Sequence, residues 1–162
     1  MTSAEFAALV KRFGDAATAG DGNALAVLFT PDGTYHDYIY GPHKGRASIA
    51  DMLENLFHRD ATDYHWEFRD PVVNGDIGYA RSLSRFVSNV PEFKGHKVVI
   101  DGISRFVLKD GLIAHYHESV NGGVAQAQLG VAPEHMAKVM KRWSDRFLTD
   151  AEVAQYAKGF KS

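Results

Sequence analysis

The chain has 162 residues, of which 45% are hydrophobic and 23% charged, with a formal net charge of −2; one domain is the default at that length, and a real core can be buried. The near-neutral balance leaves no electrostatic footprint for nucleic acid or an anionic membrane surface, so neither is expected as a partner. Cysteine is absent, which excludes disulfides, thiolate metal sites and a cysteine nucleophile; with no signal-like start and no apolar run near the ~20 residues of a membrane span, a cytoplasmic location is expected.

In chain order, Thr2 and Glu5 have capping-box spacing, and Phe6, Leu9, Val10, Phe13 and Ala17 form one apolar stripe. A helix over 2–19 closed by Gly20 is predicted. Asp21 or Asn23 then opens a second helix through Phe29, and Thr30-Pro31-Asp32-Gly33 reads as a turn. A strand follows at 34–40, a loop at 41–45, a helix from Ala47 to His58 and a polar linker at 59–63. Strands are predicted at 64–73 and 77–89, joined by Asn74-Gly75-Asp76, and then a long hairpin over 97–120 turning at Lys109-Asp110-Gly111. Beyond Gly130, Pro133 opens a helix whose Met136, Val139, Met140, Trp143 and Phe147 share a face, read as core or dimer contact. Thr149 with Glu152 caps a last helix to about Lys158. Helices segregated from a run of antiparallel strands mean an α+β fold, and a strongly curved sheet wrapped around a helix is one way to enclose a pocket. Residues 1–130 are expected to form that α+β domain, and 131–162 a helical extension packed on the same domain.

The strings VKRFGDAATAGDGNALAVLFTPDGTYHD (10–37), GPHKGRASIADML (41–53) and FVLKDGLIAHYHESVNGGVAQAQLG (106–130), in this order and spacing, resemble the nuclear transport factor 2-like superfamily and, within it, the SnoaL-like polyketide cyclases with their ketosteroid isomerase and dehydratase relatives. The resemblance covers about residues 4–130. It implies a cone-shaped α+β barrel, commonly a homodimer through the outer face of the sheet. Asp37 falls where the isomerases place a general base. Phe13 stands at their oxyanion tyrosine and Ser104 near their second oxyanion donor, so steroid isomerisation is not the expected reaction. Glu118 matches the acidic residue on the last strand of the cyclases and epoxide hydrolases. His65 matches a proton-transferring histidine of the dehydratases.

Strand alternation places Tyr116 and Glu118 on one face and His115 and His117 on the other. His115-x-His117 is a two-ligand start for a metal without an obvious third ligand, so no metal is expected. His36 alternates away from Asp37 toward solvent. A carboxylate beside apolar walls has a raised pKa, useful in a base, and two carboxylates in one pocket separate acid from base roles. Asp37, Glu118 and His65 are thus the candidate catalytic residues, and Phe13, Tyr35, Trp66, Ser104 and Tyr116 the candidate substrate-binding residues. No phosphate loop, serine elbow or dinucleotide signature is present, so the expected chemistry is cofactor-free. The expected activity is proton transfer on a small, largely apolar substrate bearing a carbonyl or hydroxyl group: isomerisation, cyclisation or lyase chemistry such as dehydration. A non-catalytic ligand-binding module and an accessory dimeric subunit remain as alternatives.

Overall fold

Helix α1 (Ser3–Ala19) forms where its cap and stripe place it. In a computed structural model describing residues 1–159, the Thr2 hydroxyl accepts from the Glu5 amide at 3.2 Å and the Glu5 carboxylate accepts from the Thr2 amide at 2.7 Å. Gly20 ends the helix at φ 71°, in the left-handed region that glycine enters without strain. The stripe is buried, and the helix presses so closely on the sheet that a Cβ at Gly14 would stand 2.8 Å from the Trp66 carbonyl oxygen. Helix α2 (Gly22–Ala26), capped by Asp21, is shorter than expected, and Phe29 starts a strand instead of ending a helix.

Among the described residues six strands make one sheet: β1 (Phe29–Asp37), β2 (Gly41–Lys44), β3 (Ala61–Asn74), β4 (Ile77–Ser88), β5 (Lys97–Lys109) and β6 (Leu112–Val120), in the order β2-β1-β6-β5-β4-β3. The expected hairpin is there, with Asp110-Gly111 at its turn. Four differences from the sequence reading matter. The sheet is mixed, because β1 runs parallel to β6. Gly41–Lys44 is an edge strand on β1 and not a loop; an edge position tolerates Pro42, which has no amide to donate. Thr30–Gly33 lies within β1, at a register shift between Phe29 and Thr34. Finally, 59–63 is not linker, since β3 begins at Ala61. Asp63 and Asp70 adopt φ of 50° and 51° near the two register shifts of β3, and such bulges bend and twist a strand, helping to curve the sheet around α1.

Between β2 and β3 the chain runs through α3 (Arg46–Met52), a π-helical turn (Leu53–Phe57) and α4 (His58–Asp60). Phe6, Phe13, Phe29, Tyr35, Phe106 and Tyr116 are fully buried in the core between α1 and the sheet. After β6 come α5 (Gly122–Gln128), α6 (Pro133–Leu148) and α7 (Ala151–Ala157). Asp150, not Thr149, caps α7, accepting from the Glu152 and Val153 amides at 3.0 and 3.1 Å. The Met/Trp stripe of α6 is not core: no residue of α6 is buried, and Phe147 is 62% exposed. Residues 160–162, the end of the expected extension, lie outside the described residues. Among the described residues no helix is long and apolar enough to cross a membrane.

Candidate active site

Parallel pairing of β1 with β6 builds the site. Tyr35 pairs with Tyr116 and His36 with His117. One step further along the same register, Asp37 comes beside Glu118. Neighbouring strands lie about 4.8 Å apart, and in parallel strands residues in register face the same side. Two carboxylates from distant parts of the chain therefore share one face.

Asp37 is 4% exposed. The chain turns sharply after it, and its Oδ1 accepts from the amides of Ile39 at 2.8 Å and Tyr40 at 2.5 Å. Burial pushes its pKa up to about 6, against the pull of the Tyr40 and Ile39 amides and of the Arg146 guanidinium, all of which favour the anion. Glu118 is pushed up to about 8, first by burial and then by the charge of Asp37, with the Tyr116 hydroxyl opposing. Protein encloses Glu118 although part of its surface stays accessible, because that part opens onto a cavity. The Tyr116 hydroxyl donates to Glu118 Oε2 at 3.2 Å and lies 2.9 Å from the Ser104 hydroxyl, which closes a buried Ser104–Tyr116–Glu118 chain. Among the described residues the fully buried Tyr35 hydroxyl has no hydrogen-bond partner, although it stands near enough to the Tyr116 hydroxyl to favour its ionised form.

The two carboxylates face a cavity of about 230 Å³. Its walls are largely apolar or aromatic: Phe57, Tyr64, Trp66, Phe86, Ile100 and Val120, with Leu129, just after α5, at one side. A larger groove of about 540 Å³ lies on the other face of the sheet, beneath α6 and α7, and is lined by His36, His115, His117 and Arg105. Size does not select the site here. The smaller cavity holds the paired carboxylates, whereas among the described residues no three histidine or carboxylate side chains converge as metal ligands.

A model of the SnoaL-like domain matches residues 10–116. This chain belongs to the SnoaL-like family. Solved structures similar to this SnoaL-like chain include a hypothetical protein with a ketosteroid isomerase-like fold from Catenulispora acidiphila in complex with trimethylamine, 20% identical, with a TM-score of 0.69 over 78% of this chain and 95% of the other. A candidate polyketide cyclase from Xanthomonas campestris is 22% identical, with a TM-score of 0.64 over 78% and 98%. An LEH-like epoxide hydrolase from Mycobacterium tuberculosis is 14% identical, with a TM-score of 0.64 over 78% and 90%. At such identities these likenesses establish the fold alone. No curated protein matches the sequence significantly.

The SnoaL-like frame brings some of the expected site residues together and not others. Asp37, Glu118 and Trp66 line the cavity, and the Trp66 indole nitrogen donates to Ser82 at 3.1 Å. Tyr116 and Ser104 lie directly behind Glu118 and support it without lining the cavity. Phe13 and Tyr35 are core, stacked on each other with centroids 5.9 Å apart. His65 is not brought to the site. It follows Tyr64 and precedes Trp66 on β3; both of those line the cavity, so alternation turns His65 outward, exposed and 3.9 Å from Glu67. His36 is half-buried in the outer groove and not in solvent, because α6 and α7 cover that part of the sheet. Sequence reasoning passed over Tyr64 and Phe86, although Tyr64 stands two residues from Trp66 and so shares its face. It also passed over Tyr40, whose hydroxyl donates to Asp60 at 2.8 Å at the cavity edge.

Proposed function

We propose that this SnoaL-like protein is a cofactor-independent acid/base enzyme acting on a small, largely apolar substrate with a carbonyl or hydroxyl group. One observation carries the reading: two carboxylates of unlike environment face one small apolar cavity. Asp37 has two amide donors and a nearby guanidinium. Glu118 has one hydroxyl donor and a like-charged neighbour. Asp37 therefore ionises first, and at neutral pH the pair holds a carboxylate beside a carboxylic acid.

The division of labour follows. Asp37 takes a proton from carbon next to the carbonyl while Glu118, with Oε2 engaged by Tyr116, gives its own proton to the substrate oxygen. Enolisation leaves Asp37 protonated and Glu118 ionised; Asp37 then gives its proton to a different carbon while Glu118 takes back the proton on oxygen, which completes an isomerisation. In a dehydration the oxygen that receives the Glu118 proton leaves as water. Trp66, Tyr64 and Phe86 shape the space, and about 230 Å³ is below the ~300–1,000 Å³ of drug-sized sites, which favours a small substrate. Among the described residues neither Asp37 Oδ2 nor Glu118 Oε1 has a hydrogen-bond donor. That favours catalysis over a passive binding module, whose polar groups would be paired.

In this reading residues 1–130 are the acid/base unit and 131–162 an extension of it, working in the cytoplasm as a homodimer. Val72, Val99 and Ile103, each more than half exposed on the outer face of the sheet, favour the dimer.

Mass spectrometry of the ligand retained from a cell extract supplies the substrate class. Asp37→Asn is then expected to retain binding and lose turnover by about 10²–10⁴-fold. Full turnover by the Asn variant rejects Asp37 as the base, and retained ligand that the unaltered protein never converts favours the binding module.

A further inference from the structure

The residue that fixes the conformation of the candidate base lies outside the matched domain. Asp37 is held by the turn Tyr38-Ile39-Tyr40, whose last two amides donate to its Oδ1. Nothing in the turn's own sequence fixes its opposite side, where the carbonyls of Tyr38 and Ile39 point away from Asp37. Arg146 of α6 takes both: one guanidinium nitrogen donates to the Tyr38 carbonyl, and the other donates to the Ile39 carbonyl at 3.1 Å. A guanidinium suits this, because its planar fork reaches two acceptors at once.

The helix is registered for the contact by a second anchor. The Trp143 ring packs edge-on against Tyr38, centroids 4.9 Å apart, and Gly122 leaves room for it: a Cβ there would meet both the Trp143 and Tyr38 rings. Trp143 and Arg146, three residues apart, share one face of α6. They are among the few half-buried positions of a helix that is otherwise exposed. The helix has no buried residue, and it reaches the turn through these two side chains.

We propose that Arg146, brought in by the C-terminal helix α6, is a positioning residue for Asp37: it clamps the Tyr38–Tyr40 turn that holds the carboxylate and sets a fixed positive charge behind it. The proposal rests on the reading of Asp37 as the base and extends it by giving the C-terminal extension a task at the site. Around Asp37 stand Glu118 from β6, Tyr35 from β1, Tyr64 from β3 and Tyr40 from the turn, all neutral or anionic. Arg146 is the cation acting on it among the described residues. Arg146 in turn acts on His36 of β1, which also feels Asp150 at the start of α7. Losing the guanidinium removes an influence that favours the anion and frees the two carbonyls, so Asp37 becomes a carboxyl group that ionises later and is held less firmly.

Carbon-detected NMR titration of the side-chain carboxyls, with hydrogen exchange of the Ile39 and Tyr40 amides, tests this without any substrate. Arg146→Gln is expected to raise the Asp37 midpoint from about 6 by roughly half a unit. It should also speed exchange of both amides by about tenfold or more. Arg146→Lys restores the charge but not the fork, so the midpoint returns toward its original value while exchange stays fast. Trp143→Ala, which keeps the guanidinium but loosens α6, guards against a Gln variant that fails to fold and is expected to move both readouts the same way. Unchanged midpoint and exchange in any folded variant lacking the guanidinium or the Trp143 anchor overturns the proposal. Because neither readout measures turnover, that outcome is distinct from an active Asp37→Asn enzyme, which would overturn the base assignment instead.

Discussion

The two faces of β6 make opposite use of one physical effect. Inward, Glu118, backed by Tyr116, meets Asp37 in a cavity of about 230 Å³; outward, His115 and His117 meet His36 in a groove of about 540 Å³. Burial disfavours charge on both sides, so the inner carboxyls are raised and the outer imidazoles lowered. The faces differ in how their members differ among themselves. Outside, the three histidines are all depressed, by burial and by neighbouring cations. Inside, the donors are unequal, and the two carboxyls separate to about 6 and about 8. Proton transfer needs an acid and a base side by side at one pH, and the inner face supplies that pair.

The largest effect that separates the faces is on turnover. Glu118→Gln keeps an oxygen for the Tyr116 hydroxyl but has no acidic proton, so turnover of the identified substrate should fall by about 10²–10⁴-fold. His117→Gln, next door in sequence and on the other face, should change it by no more than about twofold. Equal losses in steady-state assays of the two variants would place the chemistry somewhere other than the inner cavity.

Next in size is the dependence of stability on pH. Asp37 and Glu118 bind protons more tightly in the folded chain than in the unfolded one, where their values are near 3.8 and 4.5. Their contribution is complete below those values and is lost as pH rises through about 6 and then about 8. One pKa unit is worth about 1.36 kcal/mol, so the two together are of the order of several kcal/mol between pH 4 and pH 9. Urea unfolding across that range should show stability falling on the alkaline side, with the fall much reduced in Glu118→Gln. An unchanged slope would mean that Glu118 is solvated and not held in a dry site.

Much of this contrast is legible in the sequence, for a definite reason. Period-two alternation on β6 separates Glu118 from His117 without any coordinates, as the capping box and stripe define α1. What alternation leaves open is which strand lies alongside. The parallel join of β1 to β6 spans about eighty residues of sequence and leaves no local signal, although it is what sets Asp37 beside Glu118. Gly41-Pro42 reads as loop because the strand it forms is an edge, where a missing amide costs little. His65 and Trp66 cannot both face the cavity from adjacent positions on β3, and alternation applied there would have set His65 aside. Arg146 carries no signal at all: its role depends on where α6 docks, and a helix with no buried residue has few constraints on its docking that its own pattern reveals.

Tyr116→Phe sharpens the inner side of the comparison at smaller cost. It removes the donor to Glu118 and leaves the buried Ser104 hydroxyl without its partner, which should cost about 1–2 kcal/mol in urea unfolding. The Tyr116 hydroxyl favours ionised Glu118, so its loss should raise the Glu118 midpoint above about 8. The acid limb of the pair then extends to higher pH. A lowered midpoint in the carboxyl titration would show that the hydroxyl stabilises the protonated form instead.

The smallest expected effect belongs to the outer face and has the opposite sign. His117 is depressed first by burial and then by His115, Arg105 and His36. Its contribution to stability is present above its unfolded value near 6.5 and is lost as pH falls through its lower folded value. Because the side chain is only half-buried, solvent screening keeps this to less than about 1 kcal/mol. His117→Gln should therefore be indistinguishable from the unaltered chain at pH 8 and slightly more stable than it at pH 5, by urea midpoint. The inner carboxyls are present in both proteins and gain protons over the same interval, so their opposing contribution cancels in the difference. A His117→Gln variant that loses stability at pH 5 relative to the unaltered chain would show the imidazolium to be favoured in the groove, and the two faces of β6 would then not be governed by the same effect.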